Sequence, residues 1–257
     1  MMAEKVLVRP TSDPVVRTTP DPDARVSTGI PGLDELLEGG FPTGSLITLA
    51  GRPGTGKTIF GSQFLYQGAR ESGEPGMYVS MLEGRKAYFR NMNRLGLDLL
   101  PLEKKDLFRF LEMPTLSAEG LPAIWEEIVR NIDEAGIVRL VIDSFTAMSQ
   151  AFGTQGDIRV FTHMLLGKII GGAGCTTLMI TESAPGLLGD DNPNPGMQEF
   201  IADGVVHFHL VPVAGDARVR YVEITKMRGT NHQMGPIPIE IGNRGITVRM
   251  PHIPGRR

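Results

Sequence analysis

The 257-residue chain carries 26 basic and 29 acidic side chains for a formal net charge of −3, so it lacks the global positive field that accompanies indiscriminate nucleic-acid binding. Its single cysteine, Cys175, excludes an intramolecular disulfide and suits a reducing compartment. No basic-then-apolar leader opens the sequence, and no stretch approaches the roughly 18 uninterrupted apolar residues of a membrane span, which gives the expectation of a cytoplasmic protein without membrane contact.

Residues 1–25 place Pro10, Pro14, Pro20 and Pro22 among charges of both signs. Such a composition buries too little apolar surface to offset its ordering entropy and reads as a flexible tail, with Val6 to Val8 as the alternative of a short edge pairing. Residues 26–257 are expected to form the folded domain. Thr28 to Leu37 reads as a turn entering a short amphipathic helix. Ser45 to Ala50 is predicted as a strand, followed by a glycine-rich turn and a helix from Lys57 to Arg70 whose apolar Ile59, Phe60, Phe64, Leu65 and Ala69 fall near helical spacing. Met77 to Leu82, Leu107 to Leu111, Val138 to Ile142 and Thr176 to Ile180 are apolar runs of strand length. Helical stretches separate them at Arg85 to Leu95, Ala118 to Asp133 and Asp157 to Ile170. This alternation specifies an α/β fold with a mostly parallel central sheet and helices on both faces. After about residue 203 the pattern changes to Val205–Val211, Arg218–Lys226, Ile237–Ile241 and Ile246–Arg249 with turns between, a C-terminal antiparallel β extension.

Gly51-Arg52-Pro53-Gly54-Thr55-Gly56-Lys57-Thr58 matches G-x-x-x-x-G-K-[ST] between a strand and a helix. In such a loop the glycines let successive N–H groups converge on one phosphate at the positive end of a helix dipole. The lysine neutralises the β- and γ-phosphates and the threonine hydroxyl serves Mg²⁺. The expected ATP-binding residues are therefore Gly51, Pro53, Gly54, Thr55, Gly56, Lys57, Thr58 and Ile59, with Mg²⁺ held by Thr58 and by Asp143, directly or through a water. Asp143 ends the run Val138 to Ile142, at the sheet edge where open α/β folds bind ligands; it also suits an N-cap. Glu83, at the tip of the Met77–Leu82 run, is in place to orient or deprotonate a water aimed at the γ-phosphate, and equally reads as a surface glutamate after a strand. Cys175 and Trp125 read as core residues, and His207 and His209 as partly exposed strand histidines without a third metal ligand.

From Ser27-Thr28-Gly29-Ile30-Pro31-Gly32-Leu33-Asp34-Glu35-Leu36-Leu37, through Gly39 to Ser45 and the P-loop, to Leu140–Ser144, Thr176–Glu182, Glu199–Val206 and Lys226-Met227-Arg228-Gly229-Thr230-Asn231-His232, the chain resembles the KaiC-like branch of the RecA-type P-loop ATPases, in a single-domain form. The resemblance implies a RecA-type fold, a ring that is a homohexamer, and a Lys-x-Arg element that reaches the γ-phosphate bound by the neighbouring subunit. It makes Lys226 and Arg228 catalytic fingers acting in trans, with His232 a weaker candidate; from the residues alone they are only a charged strand end. Clock-type members carry adjacent glutamates where this chain has Leu82-Glu83, so the resemblance implies slow hydrolysis. It brings no paired phosphorylation sites with it.

The functions in view are a ring ATPase that regulates an unidentified protein partner, a RecA/RadA paralogue acting on DNA in recombination or repair, and a non-hydrolysing nucleotide-gated scaffold. Thr146–Asp157 and Ser183–Phe200 contain neither lysine nor arginine, which disfavours loops that track nucleic-acid phosphates.

Overall fold

A computed structural model describes residues 23–113, 120–150, 174–182, 201–213 and 217–249. The Val6–Val8 pairing, the helix over Asp157 to Ile170 and the segment Ser183–Phe200 lie outside the described residues.

Among the described residues a nine-stranded sheet organises the molecule. In chain order its strands are β3 (Leu46–Gly51), β4 (Gly76–Ser80), β5 (Phe108–Glu112), β6 (Arg139–Asp143), β7 (Thr176–Glu182), β8 (Gly204–Pro212), β9 (Arg218–Met227), β10 (Pro236–Gly242) and β11 (Gly245–Val248). In space they run β11-β10-β9-β8-β3-β7-β6-β4-β5. The strands from β8 to β5 are parallel, and β9, β10 and β11 return antiparallel. A separate pair, β1 (Arg25–Val26) with β2 (Phe41–Pro42), precedes the sheet, so Arg25, placed at the end of the tail, is paired with Pro42.

Two apolar layers flank the sheet, as its strand alternation requires. One face packs Tyr78, Val141, Leu178, Ile180, Val206 and Phe208 against α1 (Lys57–Gln67), α2 (Arg85–Arg94) and α3 (Leu100–Glu103). The other packs Met77, Val79, Leu140, Ile142, Met179 and Val205 against α4 (Leu121–Ala135) and α5 (Phe145–Gln150). Buried Trp125 and Cys175 belong to this second layer. Helix α3 was not legible in the sequence, and Thr146 to Gln150, expected as loop, belong to α5. The 28–37 segment forms a turn and a 3₁₀ helix at Asp34–Leu36, whose Asp34 carboxylate takes the Thr28 N–H and the hydroxyls of Ser27 and Thr28.

A buried cation fastens this segment to helix α1. Arg139 is 2% exposed, pairs with Glu74, donates to the carbonyls of Ser27 and Phe64, and lies 4.5 Å over the Phe64 ring. Its approach fixes Gly68, where a Cβ would come within 2.2 Å of the guanidinium. Burial pulls the Arg139 pKa down, against the opposing pull of Glu74, and a guanidinium stays charged regardless. One side chain thus holds β6, α1 and the N-terminal segment in register.

Candidate active site

Strand β3 lies inside the sheet with β7 and β8 on its two sides, and the chain leaves its C-terminal end at the edge where the parallel strands terminate. Gly54 and Gly56 have φ of +80° and +112°, backbone that lets the loop curl back before α1 starts at Lys57. Among the described residues no side chain caps α1. Its first-turn N–H groups therefore face the loop without intrahelical partners, a ready anion cradle.

Inside that curl Lys57 is 7% exposed, and its Nζ donates to the carbonyls of Gly51 at 2.6 Å and Arg52 at 2.9 Å. Burial lowers its pKa; the carboxylates of Asp143 and Glu182 pull the other way. Thr58, one residue on, donates its hydroxyl to Asp143 Oδ2 at 2.8 Å. That pairing follows from topology, because β6 delivers Asp143 at its last residue and α1 crosses the sheet on the same face. A second donor, the Tyr78 hydroxyl, lies 2.5 Å from the same oxygen. Complete burial and then the Asp143 charge push the Tyr78 phenol well above its ordinary pKa, which keeps it a donor.

Glu83 sits on the bend after β4, three residues past its end. Ser80 holds that bend with both functions of its hydroxyl, donating to the Glu83 carbonyl at 2.7 Å and accepting the Glu83 N–H at 3.1 Å. Asn91 of α2 donates to Glu83 Oε1 at 2.7 Å, so the carboxylate is aimed from a rigid helix. The predicted strand Met77–Leu82 ends at Ser80, and Leu82, 74% exposed, lines the open side of the cavity that holds Glu83.

A cavity of about 580 Å³ joins these groups. Of the sequence candidates, Pro53, Gly54, Gly56, Lys57, Thr58, Ile59, Glu83 and Asp143 line it. Gly51 meets the site through its carbonyl, and Thr55 is buried, its hydroxyl bonded to the Arg52 carbonyl at 2.8 Å. Sequence reasoning missed Glu182, Arg220 and Ile241 on the same wall. Glu182 had a signal, since Thr176–Ile180 continues through Thr181 to place one more acid at a strand tip. Arg220 had none. The antiparallel return of β9 beside β8 carries it to the loop, where its guanidinium stands 3.4 Å from the Gly54 carbonyl.

Lys226 and Arg228 are not in this cavity. Met227 pairs with Gly204, which pairs with Ile47, four residues before Gly51. At about 3.3 Å per residue this puts the two residues roughly 13 Å down the sheet from the end of β3, toward its opposite edge. A bulge opposite Val205 and Val206 leaves Thr225 extra, so Met227 is buried while Lys226 and Arg228 flank it on the other face. Exposed Arg228 meets Asp203 at 3.1 Å; Asp203 also accepts the Leu46 N–H at 3.0 Å and, through its carbonyl, the Arg228 N–H at 2.9 Å. The following loop is strapped to the N-terminal segment, with Arg25 donating to the Gly229 carbonyl and Gln233 to that of Leu36. His232, within this loop, is partly buried. On β8 the His207 and His209 rings stand 6.2 Å apart, with His209 Nε2 3.2 Å from Glu223.

Among the described residues no helix is long and apolar enough to cross a membrane. The family model described as "ATPase: KaiC" matches residues 26–253. A UPF0273 protein of Pyrococcus horikoshii is 34% identical over 238 residues, covering 87% of this chain and 93% of that one. One from Methanocaldococcus jannaschii is 34% identical over 239 residues, 87% and 96% of the two chains. The circadian clock oscillator protein KaiC of Parathermosynechococcus lividus is 35% identical over 234 residues, 86% of this chain but 41% of that one. The crystal structure of a KaiC-like protein from Pyrococcus horikoshii superimposes with a TM-score of 0.77 at 37% identity, over 88% of this chain and 99% of that one. The fold is the expected RecA-type one, and the chain belongs to the KaiC family of nucleotide-binding ATPases.

Proposed function

We propose that this chain is a Mg²⁺-dependent ATPase that assembles into a closed ring, a homohexamer, hydrolyses ATP slowly, and transmits its nucleotide state to a protein partner. One arrangement carries the reading: buried Lys57 and the Thr58–Asp143 pair stand in one cavity with Glu83, at an uncapped helix start. The donor set suits Mg²⁺, because a hydroxyl and a carboxylate are the hard oxygen ligands this ion takes, with phosphate oxygens and water completing the shell. Bound there, the ion would neutralise charge developing between the β- and γ-phosphates.

The chain's own residues do the rest. Loop N–H groups and Lys57 hold the phosphates, and Lys57 exchanges its two carbonyl acceptors for phosphate oxygens when ATP enters. Glu83, aimed by Asn91, orients or deprotonates the attacking water. With its acidic neighbour replaced by exposed Leu82, this single base works slowly. Arg228 and Lys226 lie too far along the sheet to reach their own loop, which supports their action on the phosphate held by the next subunit in a heterologous ring interface. Phosphate release from Mg-ATP by wild type and Glu83→Gln tests the chemistry; equal rates refute Glu83 as the base. Leu82 also favours a second reading, a scaffold that binds ATP and never turns over, for which single-turnover incubation would return ATP intact.

A further inference from the structure

We infer that Tyr78 is a positioning residue for the metal-binding carboxylate: its buried hydroxyl pins Asp143 Oδ2, the oxygen that also accepts the Thr58 hydroxyl, and so leaves Oδ1 to the metal or its water. The inference rests on the Mg-ATP reading above. In the β4–β6 register Tyr78 faces Val141, and Ser80 faces Asp143. Tyr78 is therefore the diagonal neighbour of Asp143 on the same sheet face, within reach of a long aromatic side chain. That face is the one α1 crosses, so the strand supplies one donor at 2.5 Å and the helix another at 2.8 Å to a single oxygen.

The ring is held as firmly as the hydroxyl. Tyr78 is 1% exposed, packed 4.6 Å from the Tyr88 ring and stacked 5.9 Å from that of Phe110. A tyrosine in so apolar a layer needs an acceptor for its proton, and a carboxylate gives the strongest such bond. Phenylalanine in its place would keep every ring contact and lose only what the hydroxyl makes, the bond to Asp143 and the contact with the Thr58 hydroxyl beside it. With one donor instead of two the carboxylate is free to turn about its last torsion, and the geometry offered to the metal blurs. Partners that orient metal ligands in this way typically contribute about 10- to 100-fold to metal affinity. Tyr88 supplies an internal control. It lies in the same aromatic cluster, is equally buried, and bonds its hydroxyl to Ser62 Oγ at 2.8 Å instead of to the acid.

Mn²⁺ is the probe. Its binding to the ATP complex of the full chain is followed by electron paramagnetic resonance, and ATP affinity in EDTA is followed separately with a fluorescent ATP analogue. Tyr78→Phe is expected to weaken Mn²⁺ binding about 10-fold while metal-free ATP affinity stays at the wild-type level, and Tyr88→Phe to leave both unchanged. Wild-type Mn²⁺ affinity in Tyr78→Phe overturns the inference. So does an equal loss in Tyr88→Phe, which would assign the effect to the aromatic packing. If the wild-type chain itself shows no ATP-dependent Mn²⁺ binding, the Mg-ATP reading fails and the inference falls with it.

Discussion

Removing the Arg228 guanidinium separates a finger that acts on a neighbour from a charged strand end. In the structure the Arg228 side chain is 59% exposed and engaged with Asp203 at 3.1 Å, roughly 13 Å along the sheet from the end of β3. An exposed ion pair of this kind contributes at most about 1 kcal/mol, so Arg228→Ala should leave the fold stable and Arg228 can leave Asp203 at little cost. A finger in phosphoryl transfer contributes about 10³ to 10⁵ in rate, or about 4–7 kcal/mol of transition-state stabilisation, far more than the pair it abandons. Arg228→Ala should therefore bind ATP in its own loop with unchanged affinity and hydrolyse it at least about 10³-fold more slowly. Lys57→Ala should be inactive for the opposite reason. In an equimolar mixture that exchanges subunits at random, half the loops and half the facing fingers are intact. About one quarter of ring interfaces then pair an intact loop with an intact finger, and about that fraction of wild-type phosphate release should return. If native mass spectrometry shows mixed rings and the mixture stays inactive, the finger does not act in trans. Full activity in a monomer refutes the ring itself.

Asn91→Ala should lower turnover about 10-fold with KM unchanged, because it releases the Glu83 carboxylate without touching the phosphate cradle; a KM effect alone would refute the assignment. Leu82→Glu restores an acid beside Glu83 and should raise steady-state turnover in a variant that still binds Mg-ATP, an idea that a flat rate contradicts. Arg139→Ala should cost about 3 kcal/mol in urea unfolding, since it strands Glu74 and two carbonyls and opens the layer under Phe64; a change below about 1 kcal/mol would show that water replaces the guanidinium. Burial, then the neighbouring His209, lower the His207 pKa below 6.5. In the window from 6.5 downward the unfolded chain binds the extra proton, so this group contributes stability above 6.5 that is lost on acidification, and His207→Gln should flatten the acid limb of the stability curve.

The parallel core and the phosphate loop were legible because both are local: a buried strand reads as an apolar run, and the loop needs its glycines, lysine and threonine contiguous. Asp143 was legible for the same reason, as the first acid after such a run. Glu83 could be singled out by its place at a strand tip but its setting could not, since Ser80 and Asn91 reach it from a strand and a helix that no local pattern connects. Arg220 and Tyr78 stayed hidden because each matters through register: one arrives by the antiparallel return of β9, the other by lying diagonal to Asp143. The bulge at Thr225 was invisible too. The pattern of Val222 and Ile224 continues to Lys226 by alternation, and only the extra residue turns Met227 inward.

Calorimetric titration of Mg-ATP into wild type and into a folded Lys57→Ala variant tests the central claim most directly. The lysine lies at the cavity with its ammonium on loop carbonyls, so its loss should spare the fold and remove most of the affinity. Binding that falls by at least about 10-fold is the predicted result. Equal affinities in the two proteins would mean that the phosphates do not sit in this loop, and the account would be wrong.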